Sequence, residues 1–230
     1  ISRRRHPASR HDAPAAVRAR HVVVMARLPR PGRTKTRLAR GIGTVAAARW
    51  ARRTTATLLH RLDDPRWTLW LAVAPDTALH SPVWPAHLPR LPQGRGDLGA
   101  RMGRLLRRLP PGPAVILGSD IPGADAPHVA RAFAALGRAD AVLGPAPDGG
   151  YWLVGLRRTA AVPARLFAGV RWSTEHAAAD TLATLPARTA LVDTLADVDT
   201  AEDLARAPAS SCLKYRRRRR SRRLSHGGAC

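Results

Sequence analysis

Residues 21–38 read His21-Val22-Val23-Val24-Met25-Ala26-Arg27-Leu28-Pro29-Arg30-Pro31-Gly32-Arg33-Thr34-Lys35-Thr36-Arg37-Leu38, an apolar run that continues into a cationic loop. The loop holds four cations within eight residues, namely Arg30, Arg33, Lys35 and Arg37. A strand that ends in such a loop directs positive charge and free backbone N–H groups at one place, as a polyphosphate requires. The sequence of this loop also fits a solvated turn. Residues 27–37 are called the phosphate loop below.

Lys35 differs chemically from the other cations of the loop. The chain has 39 cationic residues, and only Lys35 and Lys214 are lysines. An ammonium is a compact charge on a flexible stem that can follow phosphoryl charge, whereas a guanidinium prefers a fixed bidentate partner. Lys35 is therefore a candidate for phosphate binding.

Charge and length predict one folded domain between two basic tails. The chain has 230 residues and a formal net charge of +23, and its length suits a single domain with a substantial core. We predict a disordered basic tail at 1–20, a folded domain at 21–207 and a disordered arginine-rich tail at 208–230. The folded segment still carries +10, a surplus that attracts phosphates.

The composition argues against several classes of protein. Cys212 and Cys230 both lie in the predicted tail, so a disulfide scaffold is not expected, and the spacing of Cys and His does not suit zinc. The sequence gives no support for a signal peptide or a membrane-spanning helix, so we expect a cytoplasmic protein with no membrane partner. The run Arg216–Arg223 could bind nucleic acid or an anionic membrane surface, but it also fits a solvated tail and lacks a known nucleic-acid-binding signature.

Apolar runs alternate with helical stretches along the folded segment. Strands are predicted at 21–26, 67–73, 114–118, 140–144, 151–156 and 189–192. Helices are predicted at 45–62, 98–109, 127–136, 175–185 and 201–207. The alternation favours an α/β domain with a mostly parallel central sheet and helices on both faces, which binds ligands at the carboxyl ends of its strands. The proline-rich segment 81–92 is predicted to be a surface excursion.

Polar clusters follow three further strands. Asp120 comes directly after the apolar run 114–118, although it also fits a helix cap or a turn. The segment Asp148-Gly149-Gly150-Tyr151 allows a ligand to approach the backbone closely, and it fits a β-hairpin turn equally well. Residues 195–204 are rich in acids. Glu202 and Asp203 suit the N-terminus of a short helix. That helix does not explain Asp197 and Asp199, which precede it.

Asp120 and one of the two late aspartates could hold a magnesium ion between strand ends. Mg²⁺ takes few protein carboxylates and fills its other positions with water and substrate phosphates. A cationic loop opposite such an ion completes a site for phosphoryl transfer.

Six motifs occur in one order along the chain. They are Pro-Arg-Pro-Gly-x-x-Lys-Thr-Arg-Leu at 29–38, Gln-Gly-x-Gly-Asp-Leu-Gly-x-Arg-Met at 93–102, Gly-Ser-Asp-Ile-Pro at 118–122, Asp-Gly-Gly-Tyr at 148–151, Leu-Phe-x-x-Val-x-Trp-Ser at 166–173 and Asp-Val-Asp-Thr-x-Glu-Asp at 197–203. Together they resemble the DUF2064 proteins, GT-A-fold transferases similar to the molybdenum-cofactor nucleotidyltransferases and to 2-phospho-L-lactate guanylyltransferase. The resemblance covers nearly all of 21–207 and implies a Rossmann-like GT-A fold.

The resemblance also implies roles for individual residues. The implied catalytic residues are Lys35, Arg37 and Asp120. The implied nucleotide-binding residues are Arg27, Gly32, Arg33, Lys35, Gly96, Asp97 and Arg101. Asp148, Gly149, Gly150 and Tyr151 would face the acceptor, and Asp120 with Asp199 would hold Mg²⁺ or Mn²⁺. Arg27 departs from the family, which usually has lysine there. Trp172 is expected to pack in the core, and Ser173 is expected to cap the helix at 175–185.

Three functions are compatible with these residues. The leading one is Mg²⁺-dependent nucleotidyl transfer from a nucleoside triphosphate to a phosphorylated or anionic small-molecule acceptor, with release of pyrophosphate. The second is glycosyl transfer from a nucleotide sugar. The third is nucleic-acid binding through the basic tails.

Overall fold

The computed structural model describes residues 19–207, which leaves nearly all of both predicted tails outside the described residues. The strands are β1 (His21–Arg27), β2 (Thr68–Ala74), β3 (Arg90–Pro92), β4 (Ala114–Gly118), β5 (Ala141–Pro145), β6 (Tyr151–Leu156) and β7 (Thr189–Leu191). The helices are α1 (Thr36–Ile42), α2 (Thr44–Leu62), α3 (Leu98–Arg108), α4 (Ala126–Leu136), α5 (Ala177–Thr184) and α6 (Ala201–Arg206), with a short 3₁₀ helix at Asp76–Ala78. Over the described residues, no helix combines the length and hydropathy that a membrane crossing requires.

The seven strands form one sheet in the order β3-β2-β1-β4-β6-β5-β7. β1 lies inside the sheet and pairs in parallel with β2 and with the central strand β4, while β6 runs antiparallel to both of its neighbours, β4 and β5. The remaining pairs, β2 with β3 and β5 with β7, are parallel. The sheet is therefore mostly parallel, as predicted.

Alternate residues of β1 enter two separate cores. Val22 and Val24 join a core that contains the apolar faces of α2 and α4, and Val23 joins a second core beneath α3 and α5. A strand covered on both faces needs apolar residues throughout, which explains the unbroken run 22–26. The prediction of helices on both faces is confirmed.

The prediction that 81–92 is a surface excursion is right only in part. Residues 81–89 form no helix or strand, and most of them are exposed or half-buried. Arg90–Pro92 forms the edge strand β3, parallel to β2, and Trp84 and Leu88 are buried. The Arg90 guanidinium donates hydrogen bonds to the carbonyls of Leu79, Trp84 and Pro85, which ties the segment to the domain. Proline is compatible with an edge strand because one side of that strand needs no N–H donor.

The assignment of Ser173 as a helix cap is also wrong. α5 begins at Ala177, four residues later, and His176 precedes it without a side-chain hydrogen bond to the helix. Ser173 has a left-handed backbone (φ 63°) and belongs to an irregular segment. The predicted role of Asp203 is confirmed, because its carboxylate accepts a hydrogen bond from the Thr200 N–H in a capping box at the start of α6.

Candidate active site

A cavity of about 750 Å³ opens at the carboxyl ends of β1 and β4. β1 contributes Met25 to Arg27, and β4 contributes Ile116 to Gly118. Segments that follow these strands complete the walls, which is where ligands bind in sheets of this type. The site predicted from the sequence and this cavity therefore lie at the same edge of the sheet.

The phosphate loop is held in shape from within. Thr34 is buried, and its hydroxyl donates to the Leu28 carbonyl at 3.0 Å and accepts from the Arg30 N–H at 3.1 Å. Gly32 has φ 73°, a value that glycine adopts without strain. These contacts fold the loop back on itself and direct its end toward the start of α1.

Lys35 lies between two carboxylates. Its Nζ is 2.5 Å from Asp120 Oδ2 and 2.5 Å from Asp199 Oδ1, and its side chain is only 12% exposed. Burial of the ammonium acts to lower the pKa of Lys35, but the two carboxylates outweigh this effect and raise the pKa above its usual value. The ammonium also lies 5.9 Å from the centre of the Trp50 ring. Lys35 therefore connects the phosphate loop to the acids on the other side of the cavity.

Asp120, Asp197 and Asp199 form a cluster that we call the acidic triad. Each offers a carboxylate oxygen, and these oxygens lie within 4.8 Å of one another. The Val198 N–H donates to the Asp120 carbonyl at 3.3 Å, which ties the late segment to the end of β4. Val198 is buried. Because side chains alternate along an extended chain, Asp197 and Asp199 both point away from the core and toward the cavity.

The electrostatics of the acidic triad suit a divalent cation. Burial, and then the neighbouring carboxylates of Asp120 and Asp199, raise the pKa of Asp197 to about 6. The Lys35 ammonium already occupies the position of a cation between two of the three acids. Oxygen ligands of this kind suit Mg²⁺ or Mn²⁺. The predicted pair Asp120 and Asp199 thus lie together, and Asp197, which we did not choose from the sequence, joins them.

The arginines of the phosphate loop differ in position. Arg27 and Arg37 line the cavity, and Arg37 Nη1 is 3.4 Å from Asp199 Oδ2. Gly32 and Arg33 are exposed and do not line it. The nucleotide-binding role of Gly32 and Arg33 remains a prediction that the resting geometry does not support directly.

Gly96, Asp97 and Arg101 lie beside the cavity rather than in its wall. The Asp97 carboxylate accepts from the Ala100 N–H and caps α3, and the Arg101 guanidinium donates to the Gly96 carbonyl. The neighbouring wall is lined instead by Gln93, Leu98 and Met102.

Gln93 is a wall residue that sequence reasoning missed. It is buried, and its amide nitrogen donates to the carbonyls of Ala26 and Ala72 at 3.2 and 2.9 Å. Two signals were available: Gln93 is the first residue of the motif at 93–102, and it directly follows an edge strand that we did not predict.

The segment 148–151 lies both in a hairpin, as one interpretation predicted, and at the edge of the cavity. It forms the turn of the hairpin between β5 and β6, and Asp148, Gly150 and Tyr151 also line the cavity. Gly149 does not line it. A Cβ atom at Gly149 would come within 2.2 Å of the Glu175 carbonyl oxygen, so this glycine permits close packing of the chain rather than contact with a ligand.

Aromatic side chains form part of the cavity wall. Trp172 contacts Tyr151 and Phe167, with ring centres 6.4 and 6.2 Å apart, as expected of a packing residue, and it also borders the cavity. Burial raises the pKa of the Tyr151 phenol, whose oxygen accepts a hydrogen bond from Thr181 Oγ1. Trp50 on α2 lines the opposite side and was not predicted, because its place in an amphipathic helix resembles that of a core residue.

The fold is the one that nucleotide-utilising transferases of the GT-A type share. The chain belongs to the DUF2064 family, described as uncharacterized proteins conserved in bacteria, whose sequence model matches residues 57–174. The fold and the family match both agree with the resemblance drawn from the six motifs. None of the curated proteins matches this chain.

Solved structures share the fold. A provisionally assigned nucleotide-diphospho-sugar transferase from Desulfovibrio desulfuricans G20 is 27% identical, with a TM-score of 0.76 over 86% of this chain and 90% of that one. A 4-diphosphocytidyl-2C-methyl-D-erythritol synthase from Anaerococcus prevotii is 11% identical, with a TM-score of 0.52 over 84% and 97%. A manganese complex of Rv0371c from Mycobacterium tuberculosis is 18% identical, with a TM-score of 0.50 over 82% and 97%.

Proposed function

We propose that this protein is a Mg²⁺- or Mn²⁺-dependent nucleotidyltransferase. It would transfer a nucleotidyl group from a nucleoside triphosphate to a phosphorylated or otherwise anionic small molecule and release pyrophosphate. One observation carries the proposal: cations of the phosphate loop and carboxylates of the acidic triad meet in one cavity, where Lys35 contacts both Asp120 and Asp199. A triphosphate donor needs both kinds of group, since its leaving group is highly charged.

In the proposed reaction, an oxygen of the acceptor forms a bond to the α-phosphorus of the donor. The bond from that phosphorus to the oxygen that bridges to the β-phosphate breaks, and pyrophosphate leaves with the electron pair. If the acceptor oxygen carries a proton, that proton passes to solvent water. Lys35 and Arg37 would bind the phosphates that leave, so the charge that develops on them meets fixed positive groups.

Asp120 and Asp199, together with Asp197, would hold the metal ion. When bound, the ion would neutralise phosphate charge and orient the donor. Lys35 would then exchange its carboxylate partners for phosphate oxygens, a change that a flexible ammonium side chain allows. Asp148, Gly150 and Tyr151, which also line the cavity, would contact the acceptor.

Glycosyl transfer from a nucleotide sugar is the second candidate. The observation in its favour is the 27% identity with a protein provisionally assigned as a nucleotide-diphospho-sugar transferase. Asp148 lines the cavity and could accept a proton from a hydroxyl acceptor. Nucleic-acid binding through the tails concerns residues outside the described part of the chain.

The donor assay separates the two enzymatic candidates. The protein is incubated with Mg²⁺ and each nucleoside triphosphate, and separately with UDP- and GDP-sugars, in the presence of pools of phosphorylated and hydroxylated small molecules. Release of pyrophosphate supports nucleotidyl transfer. Release of a nucleoside diphosphate from a nucleotide sugar, without pyrophosphate from any triphosphate, would assign the protein to glycosyl transfer instead.

A further inference from the structure

The folded domain carries its surplus positive charge in one contiguous segment. Residues 21–62, which contain β1, the phosphate loop, α1 and α2, hold nine arginines and Lys35 without a single acid. Residues 63–207 hold fifteen cations and fifteen acids, so they are neutral as a whole. The net charge of the folded domain therefore equals that of residues 21–62, which include the phosphate loop, although residues 90–108 are also locally positive, with six arginines and one aspartate.

Six exposed arginines of this segment form what we call the arginine face. They are Arg30, Arg33, Arg40, Arg49, Arg52 and Arg53. Within residues 19–207, the Asp and Glu carboxylates form their ion pairs with other cations. The charge of the arginine face is therefore not neutralised by the acids of the folded domain.

The arginine face adjoins the cavity through α2. Trp50, Ala51 and Thr55 line the cavity, whereas Arg52 and Arg53 are exposed. Because consecutive helical residues lie about 100° apart, Arg52 and Arg53 flank this lining stripe on its two sides. Arg27 and Arg37 continue the positive charge into the cavity itself. A ligand that approaches along the arginine face thus reaches the mouth of the cavity.

We propose that the arginine face steers the polyphosphate of the nucleotide donor into the cavity, an inference that rests on the proposed nucleotide-dependent function. Charge of one sign at the rim of a cleft raises the association rate of an oppositely charged ligand by about 10- to 10³-fold. Exposed charges outside the binding site act on association, whereas the contacts inside the cavity determine dissociation.

Two matched double variants of the full chain test this inference. Arg49→Glu with Arg53→Glu reverses two charges of the arginine face. Arg108→Glu with Arg138→Glu makes the same change in net charge at the ends of α3 and α4, where the chain enters β4 and β5 and thus lies at the sheet edge opposite the cavity. All four arginines are exposed. Stopped flow follows the association and dissociation of a fluorescent nucleoside triphosphate. The signal is the change in tryptophan fluorescence of the protein when the labelled nucleotide binds.

The inference makes distinct predictions for the two variants. At low salt, the association rate constant should fall by about tenfold in the Arg49/Arg53 variant and by much less in the control, while both dissociation rate constants stay at the native value. The association rate constant of the native protein should fall as salt is raised from about 20 mM to about 200 mM, because the screening length shortens. The association rate constant of the Arg49/Arg53 variant should depend less on salt.

Three outcomes would overturn the inference. Equal association rates in the two variants would refute steering while leaving the proposed function intact. A change confined to dissociation would make the arginines part of the binding site. Unchanged nucleotide association, combined with loss of binding to a short single-stranded RNA in the Arg49/Arg53 variant alone, would assign the face to nucleic acid. A fourth outcome, in which the native protein binds no triphosphate at all, would overturn the proposed function together with the inference, so the two failures are distinguishable.

Discussion

The phosphate loop and the acidic triad face the same cavity, yet the chain builds them in opposite ways. The loop carries charges that are mostly exposed, and internal hydrogen bonds of Thr34 hold its backbone in shape. The triad places three half-buried carboxylates within 4.8 Å, where they repel one another unless a cation lies among them. Rigid backbone therefore organises the positive side, whereas the negative side depends on a counter-ion. Lys35, which bridges the two regions, supplies that counter-ion in the structure described.

The largest effect should come from removing a charge of the triad. Asp120→Asn should lower turnover by about 10²- to 10³-fold with the fold intact, a loss typical of deleting one electrostatic stabiliser. Steady-state assays with the identified donor, together with circular dichroism, provide the measurement. Asp193→Asn is the matched control, because Asp193 pairs with Arg131 and does not line the cavity. Equal rates in the two variants would remove Asp120 from the proposed role.

The contact of Lys35 with Asp120 and Asp199 can be removed by changing the lysine. Lys35→Ala should lower turnover by about 10²-fold through the loss of a phosphate-binding cation. In the nucleotide-free protein, the same variant should bind Mn²⁺ about fivefold more tightly, because an internal competitor for the carboxylates is gone. Isothermal titration measures the affinity. Weaker Mn²⁺ binding in this variant would mean that Lys35 supports the metal site rather than competing for it.

The backbone of the loop offers a smaller test. Thr34→Val removes a buried hydroxyl with two hydrogen bonds and should cost about 1 kcal/mol of stability. KM for the donor should rise several-fold while kcat changes less, because the loop would no longer be held ready to bind phosphate. Thr36→Val, at an exposed position of the same loop where α1 begins, is the control. An unchanged KM for Thr34→Val would show that donor binding does not need the preformed loop.

The smallest effect concerns the repulsion within the triad. The pKa of Asp197 is raised to about 6, so the folded state holds a proton that the unfolded state has already lost between about pH 4 and pH 6. Stability from this group therefore declines as the pH rises through that window. In EDTA, Asp197→Asn should stabilise the protein against urea by at most about 1 kcal/mol at about pH 8 and by less at about pH 5. A larger gain at the lower pH would contradict the account.

The same contrast explains how much the sequence could predict. The phosphate loop is continuous in the chain, so its cations and its preceding strand are visible together in residues 21–38. The acidic triad joins residues about eighty positions apart. Its membership depends on the burial of Val198, which turns both flanking aspartates toward the cavity. No local pattern distinguishes that arrangement from one in which a single aspartate faces the cavity, and Asp197 was therefore missed.

Parts of the fold were equally hard to predict for physical reasons. β3 has only three residues, and its proline suggests a loop unless the edge of the sheet is already known. β6 has the same apolar character as its parallel neighbours, so its antiparallel direction follows from the short turn at 146–150 rather than from its own sequence. Ser173 looks like a helix cap because a helical pattern follows it, but α5 begins only after the chain has packed closely against Gly149.

A crystal structure with Mn²⁺ and a non-hydrolysable nucleoside triphosphate tests the central claim most directly. The account predicts an anomalous manganese peak within about 2.5 Å of carboxylate oxygens of Asp120 and Asp199, with donor phosphates between that ion and Lys35. Manganese bound elsewhere, or phosphates on another face while Lys35 still bridges the two aspartates, would contradict it.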